Sequence, residues 1–431
     1  MALVLVTGGS GFIGHHLVES LRARGQRVRV LDVRPPAAAN TDVDYVHGSV
    51  LDGAAVDAAL AGVDQVYHLA GLPGMWVANK QDFHDVNFRG TEVVLAAAMK
   101  RGVSRFLHCS TESILFPYAD LDGVPAEEAL QPADAMPGAY TRSKSLAEHH
   151  AAKAAASGFP LVIGTPTMPI GAADHNLTPP TAMLWYFLQK KVQPHLNFLV
   201  NLVDVRDVAM GLVLTMERGR IGQRYILGGD CVPLGRILRM MSAMSGRRQF
   251  PIVVPGKIAE LSGIMLEYLS DNFTRRPPNG TAEGVRIALA ASDLSIGKAR
   301  TELGYSPRPI EPVLRETITH LLRPRRRAAL RRHQATRALL ARWLKPPPNA
   351  KNLHVLRFQQ ASLCRLGWLD HDLADATARP DLARLARQLG RRLVLAGPHA
   401  KAGDDPGVRP LSHPDPGRRH PVHAVDRRSA R

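Results

Sequence analysis

Tyr140 and Lys144 lie four residues apart, which in a helix puts both on one face a single turn apart. A phenol with pKa ~10 is a poor acid or base at neutral pH. An ammonium beside it favours the phenolate and lowers that value. Such a pair can take or give a proton at a carbon–oxygen centre. Tyr-x-x-x-Lys also arises by chance, so its meaning depends on the elements that would hold it.

The first of these elements begins the chain. Leu3–Val6 is a short apolar run of strand character, followed by Thr7-Gly8-Gly9-Ser10-Gly11-Phe12-Ile13-Gly14 and an amphipathic helix that runs to Arg24 and stops at Gly25. Val28–Leu31 is the next strand, ending at Asp32. Glycines are needed where backbone approaches a pyrophosphate closely and where helix packs on strand. Amides at the helix start bind the phosphates, and an acid after the second strand accepts the ribose hydroxyls. The unit predicts a dinucleotide site on Gly8, Gly11, Phe12, Ile13, Gly14 and Asp32. Arg34 could pair with a 2′-phosphate, so the reading is NAD, with NADP open.

The alternation continues through a strand at Gln65–Leu69, which leads into Ala70-Gly71, and a helix near Asp82–Arg101 that contains Asn87. Another strand, Arg105–Cys109, ends at Ser110-Thr111-Glu112-Ser113, and a loop rich in Pro, Asp and Ala reaches Gly138. The Tyr140 helix and an apolar strand at Leu161–Thr165 before Pro166 complete the series. Strands alternating with helices predict an α/β fold with a Rossmann-type, doubly wound parallel sheet.

Composition narrows the class. The chain has 431 residues, 45% hydrophobic, as in a globular protein with a sizeable core. No apolar run reaches the ~20 residues that would span a bilayer, and the N-terminus reads as a strand, not a secretory signal. Three widely spaced cysteines (Cys109, Cys231, Cys364) suggest a reducing compartment without a disulfide framework or zinc spacing; the expected location is cytoplasmic. His15-His16 and His149-His150 point to different faces of their helices, so no metal site is read from them. The net charge of +17 is uneven: residues 323–431 hold 24 Lys+Arg against 8 Asp+Glu, and the first 322 hold 31 against 30. The tail, 323–431, reads as a basic, partly disordered extension with helical patches at Arg326–Leu344 and Pro380–Leu395. Its charge suits an anionic membrane surface or nucleic acid.

The glycine loop, the hydroxyl at Thr111 and Tyr140-x-x-x-Lys144, in this order and spacing, resemble an extended short-chain dehydrogenase/reductase. Within it the chain is most similar to the hopanoid-associated sugar epimerase, dihydroflavonol reductase and 3β-hydroxysteroid dehydrogenase branch, through Pro166-Thr167-Met168-Pro169-Ile170-Gly171, Asn201–Ala209, Arg224–Gly229 and Lys298–Tyr305. The resemblance implies that Tyr140 is the general acid/base, that Lys144 lowers its pKa and holds the nicotinamide ribose, and that Thr111 hydrogen-bonds the reacting oxygen. It implies cofactor contacts at Leu69, Ala70 and Pro166, with Asn87 ordering the loop above the cofactor. It divides the chain into a nucleotide domain at 1–165, to which 200–231 returns, a smaller substrate lobe at 166–199 and 232–322, and the tail.

Three positions depart from the family pattern. Gly48 is followed by Ser49 where an Asp often meets adenine. Glu112 is bulkier and more acidic than the usual residue and could face solvent or reshape the substrate entrance. Met168 stands where nucleotide-sugar enzymes place an Asn that holds the diphosphate; a thioether offers no amide donor and suits an adaptable apolar wall. Met183–Phe187 would enlarge that wall, or serve as the core face of a lobe helix, and Ile258–Tyr268 is largely apolar without a basic residue. The favoured activity is alcohol–ketone interconversion on an apolar steroid-, terpenoid- or acyl-like small molecule. A nucleotide-sugar epimerase or dehydratase is the alternative, and a non-catalytic cofactor-binding scaffold with a polyanion-binding tail is the third reading. A homodimer is compatible with all three.

Overall fold

Strand β1 (Leu3–Thr7) is buried on both faces: Leu3 and Leu5 point into one core, Val4 and Val6 into another. That two-sided burial is the mark of a central parallel strand. The computed structural model describes residues 2–35, 42–115, 131–174, 177–291 and 293–323; all lie in one compact unit, Met1–Lys351. The sequence readings on 324–431 fall outside the described residues.

From β1 the chain enters helix α1 (Phe12–Ala23), then β2 (Arg27–Asp32), β3 (Val43–His47), α2 (Gly53–Ala59) and β4 (Gln65–His68). Asp52 starts α2 by accepting from the amides of Ala54 and Ala55, the usual role of an N-cap carboxylate. Helix α3 (Gln81–Phe83) runs through a π-helical turn at His84–Arg89 into α4 (Gly90–Arg101), which ends at the left-handed Gly102. β5 (Arg105–Cys109), α5 (Ala139–Ala156) and β6 (Leu161–Pro166) follow. Next come β7 (Met168–Ile170), α6 (Pro179–Gln189), β8 (Val192–His195), β9 (Leu199–Val200), β10 (Leu202–Asp204), α7 (Val205–Arg218) and β11 (Arg224–Leu227). The described chain closes with β12 (Val232–Pro233), α8 (Leu234–Ser245), β13 (Phe250–Val253), α9 (Gly256–Leu269), α10 (Ala282–Ala290) and α11 (Ile310–Leu322).

Seven strands form one parallel sheet in the order β11-β6-β5-β4-β1-β2-β3. Helices α1 and α7 cover one face through Leu17, Leu21, Val208 and Leu212. Helices α2, α4 and α5 cover the other through Val56, Leu95, Ala98 and Ala151. This is the expected doubly wound sheet, with strand order reversing between β1 and β4, the place where such folds hold ligands. A third core joins α6, α8 and α11 through Trp185, Phe187, Ile237, Leu238, Leu314 and Ile318. Residues 294–305 pack not there but against α7, with Leu294, Ile296, Leu303 and Tyr305 in the sheet-side core.

Candidate active site

Tyr140 is the second residue of α5, and Lys144 follows one turn later. Thr111 stands just past the end of β5, extended, and caps a short 3₁₀ turn at Glu112–Ile114. Its hydroxyl lies close enough to the Tyr140 phenol to lower its pKa, accepts from the Ser113 amide at 3.3 Å and donates to the Ser113 hydroxyl at 3.3 Å. The strand-end cap and contact with the reactive phenol are therefore both present in one residue. The Phe83 ring meets Tyr140 edge to face at 5.7 Å. Lys144 Nζ donates to the Cys109 carbonyl at 2.8 Å, which ties the helix to the end of β5.

The electrostatics differ from the sequence expectation. Burial pushes the Tyr140 phenol up to about 12, and the Thr111 hydroxyl beside it pulls the other way. Burial also lowers the Lys144 ammonium. The expected lowering of the phenol by Lys144 is not what sets its value: desolvation is the largest cause, and the Thr111 hydroxyl is what opposes it. Glu112 is another correction: it is buried, not turned to solvent, and desolvation raises its carboxyl to about 8.

The glycine loop is built by close contacts. Gly8 has φ +73°, and a Cβ there would meet the Ala70 nitrogen at 2.8 Å and the Leu69 carbonyl carbon at 2.9 Å. A Cβ at Gly14 would run into the Gly8 carbonyl. Gly11 caps α1 without a side-chain bond, no acidic residue occupies the first turn, and the first helical bond is His15 N to Gly11 O at 2.9 Å. The amides of Phe12, Ile13 and Gly14 precede that bond, which is the geometry of an anion site. Asp32 is buried, its Oδ2 accepting from the Ser10 amide at 3.0 Å and its Oδ1 from the Arg34 amide at 2.9 Å. Arg34 Nε lies 3.7 Å from the same carboxylate. The cradle fits a dinucleotide pyrophosphate and an adenosine ribose.

Asn87 occupies the π-helical turn, buried, with Oδ1 accepting from the Leu72 amide at 2.7 Å and Nδ2 donating to the Ser143 hydroxyl at 3.0 Å. It fastens the loop after β4 to α5, between Tyr140 and Lys144. A residue the sequence reading did not single out supports it. His68 Nδ1 meets the Thr7 hydroxyl at 2.8 Å, and Nε2 meets the Thr91 hydroxyl at 3.0 Å. Thr91 in turn donates to the Asn87 carbonyl at 2.7 Å. With its proton on the Asn87 carbonyl, Thr91 accepts from His68 Nε2–H, so Nδ1 accepts from the Thr7 hydroxyl, which itself accepts from the Ala70 amide. Burial lowers His68 to about 3, and a neutral ring is what this relay needs. Leu69 N donates to the Thr7 carbonyl at 3.1 Å. Pro166 closes β6 beside Leu227 of β11. Ser49 uses its hydroxyl locally, accepting from the Leu51 amide at 3.2 Å.

Two further residues act on α5 from a distance in sequence. Glu283 of α10 accepts from the Thr141 amide at 2.8 Å and from the Thr141 hydroxyl at 2.7 Å. Glu148, one turn past Lys144, is fully buried and paired with Arg224 of β11. Neither pairing has a local motif that could reveal it. Met168 is half-buried on β7 and packs against the lobe core. Leu184, Trp185 and Phe187 are buried in that core, so they form the core face of α6 and do not enlarge a substrate wall. Among the described residues no group of three or more His, Cys, Asp or Glu could hold a metal.

A doubly wound sheet with a glycine-loop cradle and a Thr-Tyr-Lys constellation defines a nucleotide-dependent oxidoreductase. Residues 4–228 match the NAD dependent epimerase/dehydratase family. The chain belongs to that family, and it is an NAD(P)-dependent enzyme of the extended short-chain type. A putative dihydroflavonol 4-reductase of Synechocystis is 32% identical, over 73% of this chain and 92% of that protein. The sterol demethylase protein B of Methylococcus capsulatus is 27% identical, over 70% and 93%. The crystal structure of gox2253 is 30% identical and superposes with a TM-score of 0.65, over 76% of this chain and 99% of that one.

Proposed function

We propose that the protein interconverts a secondary alcohol and a ketone on an apolar small molecule, with Tyr140 as the acid/base. The carrying observation is the Thr111 hydroxyl at the end of β5 set against the buried Tyr140 phenol, beside a cradle that fits the cofactor. Thr111 and Tyr140 would hold the reacting oxygen from two sides, and Tyr140 would donate its proton as a ketone is reduced and take one as an alcohol is oxidised. Lys144, anchored on the Cys109 carbonyl, would fix the nicotinamide ribose and the slope of α5. Bound NAD supplies the hydride acceptor, and its oxidised ring brings a positive charge that favours the phenolate.

The apolar substrate class rests on Met168, which offers no amide to a diphosphate, and on the sterol- and flavonoid-named relatives. In this reading 1–165 and 200–231 bind the cofactor, and 166–199 with 232–322, apart from the 294–305 stretch that packs against α7, binds the substrate. Cytoplasmic location and a homodimeric state belong to the same proposal. The two cysteines among the described residues, Cys109 and Cys231, are both free. Among those residues no helix is long and apolar enough to cross a membrane. The test is turnover with NAD or NADP, read by nicotinamide absorbance for hydroxysteroids and hydroxy-lipids and by separation of the sugar products for nucleotide sugars, whose epimerisation returns the hydride and leaves no net absorbance change. Turnover confined to UDP- or dTDP-sugars would move the assignment to a nucleotide-sugar epimerase.

A further inference from the structure

Helix α9 is amphipathic the wrong way round for a folded protein. Its packed side is made of small groups: Gly263 is buried so tightly on the start of α10 that a Cβ would meet the Ala282 nitrogen at 2.9 Å. Its bulky apolar side faces outward. Ile258, Leu261, Met265 and Tyr268 follow a helical stripe, flanked by Ile264 and Leu269, with Leu261 68% and Tyr268 61% exposed. Phe273, in the turn after α9, is 61% exposed. The strand that leads into α9 repeats the pattern, since Phe250, Ile252 and Val253 of β13 are all more than half exposed. Bulky apolar side chains exposed along a helical stripe and the strand before it mark an interaction site.

The charges around it select the occupant. Arg247 and Arg248 precede β13, Lys257 opens α9, and Arg275 and Arg276 follow its last turn. Lys190 and Lys191 precede β8, the strand paired with β13. Arg239, Arg247 and Arg248 line an open depression of about 400 Å³. The acids of the same stretch are engaged or turned inward. Glu260 pairs with Arg286 at 2.8 Å, and Asp271 accepts from the Trp76 indole at 2.7 Å. Glu267 is half-buried. Apolar side chains bracketed by cations are the composition of a face that lies in the headgroup boundary of a membrane.

We propose that the β13–α9 face docks the substrate lobe on an anionic lipid surface. Its helix partner α10 carries Glu283, which holds the residue after Tyr140. The docked face therefore belongs to the element pair that borders the reactive phenol, and an apolar substrate would reach the site from the lipid phase. The residues of this surface lie outside 324–431 in sequence, and binding is read without turnover, so the proposal stands or falls apart from the assigned reaction.

The test is flotation of the full chain with vesicles of phosphatidylcholine alone or mixed with phosphatidylglycerol, at low salt and at about 0.5 M salt, where purely electrostatic attraction is screened. The full chain is expected to float with the mixed vesicles and to keep part of its binding at high salt. Leu261→Glu/Met265→Glu is expected to reduce the bound fraction by about tenfold or more while NAD binding and melting are unchanged, since both side chains are exposed. Arg275→Ala/Arg276→Ala is expected to weaken binding to the mixed vesicles alone. Equal flotation of wild type and Leu261→Glu/Met265→Glu would assign binding to residues 324–431 and overturn the proposal. So would no flotation at all, or a fall from dimer to monomer mass in that variant, which would make the face a contact between copies of the chain.

Discussion

Glu283 and Thr141 are 142 residues apart in sequence, yet one carboxylate oxygen of Glu283 receives both the amide and the hydroxyl proton of Thr141. Thr141 follows Tyr140, so a residue of α10 fixes the first turn of the reactive helix. The approach is close enough that a Cβ on Gly138 would overlap the Glu283 carboxyl. Glu283→Ala is expected to cost about 1–3 kcal/mol of stability and to lower kcat more than it raises KM. Glu283→Gln keeps the acceptor and should recover most of both. Denaturant melts and steady-state rates check this, and equal behaviour of the two variants would contradict it.

Glu112 gives a pH dependence of definite sign. Its carboxyl is raised to about 8 in the fold, against ~4.3 in an unfolded chain. Between those values the folded protein binds the extra proton, so stability is full at the acid end and falls as pH rises through the window. Glu112→Gln lacks this loss. Its Tm advantage over wild type should be small near pH ~5 and should grow to a plateau above pH ~8. A Tm difference that does not change across that range would place Glu112 in contact with water.

The buried Arg224–Glu148 pair holds α5 to β11. Removing one partner strands a charge, at a cost of about 3–5 kcal/mol. Glu148→Ala should therefore melt well below wild type, and Arg224→Met/Glu148→Leu should recover much of the difference. A double variant no better than the single one would show that the pair supplies more than packing.

Asp32 already accepts two amide protons at the end of β2 and keeps Arg34 close. A carboxylate there repels a 2′-phosphate, so NAD is expected to bind more tightly than NADP, and Asp32→Ala should reverse or erase the preference through Arg34. Fluorescence titration of both cofactors decides it. Tighter NADP binding by the wild type would give Arg34 the controlling role.

Much of this was legible in the sequence because it depends on local order. The glycine loop, Asp32 and the alternation of strands and helices are set by residues within ~30 positions of one another, where spacing alone fixes geometry. Tyr140 and Lys144 share a face for the same reason. What was not legible depends on contacts between distant segments. Glu283 meets Thr141, and Arg224 meets Glu148, only after the sheet and lobe have formed. The direction of the Tyr140 shift was also hidden, because desolvation is a property of the assembled site. Met183–Phe187 and Ile258–Tyr268 read alike as apolar runs. The fold buries Leu184, Trp185 and Phe187 of the first in the lobe core and leaves the second facing outward, a distinction that hydrophobicity alone does not carry.

The central claim is that the Tyr140 phenol moves the proton while Thr111 holds the same oxygen. Tyr140→Phe removes only the hydroxyl, leaving the ring against Phe83 and the cradle untouched. Turnover of whichever substrate the nicotinamide screen identifies, measured beside NAD affinity in the same variant, tests it most directly. Unchanged NAD binding and a turnover lower by at least ~100-fold are expected; near-normal turnover in Tyr140→Phe would contradict this role of the phenol.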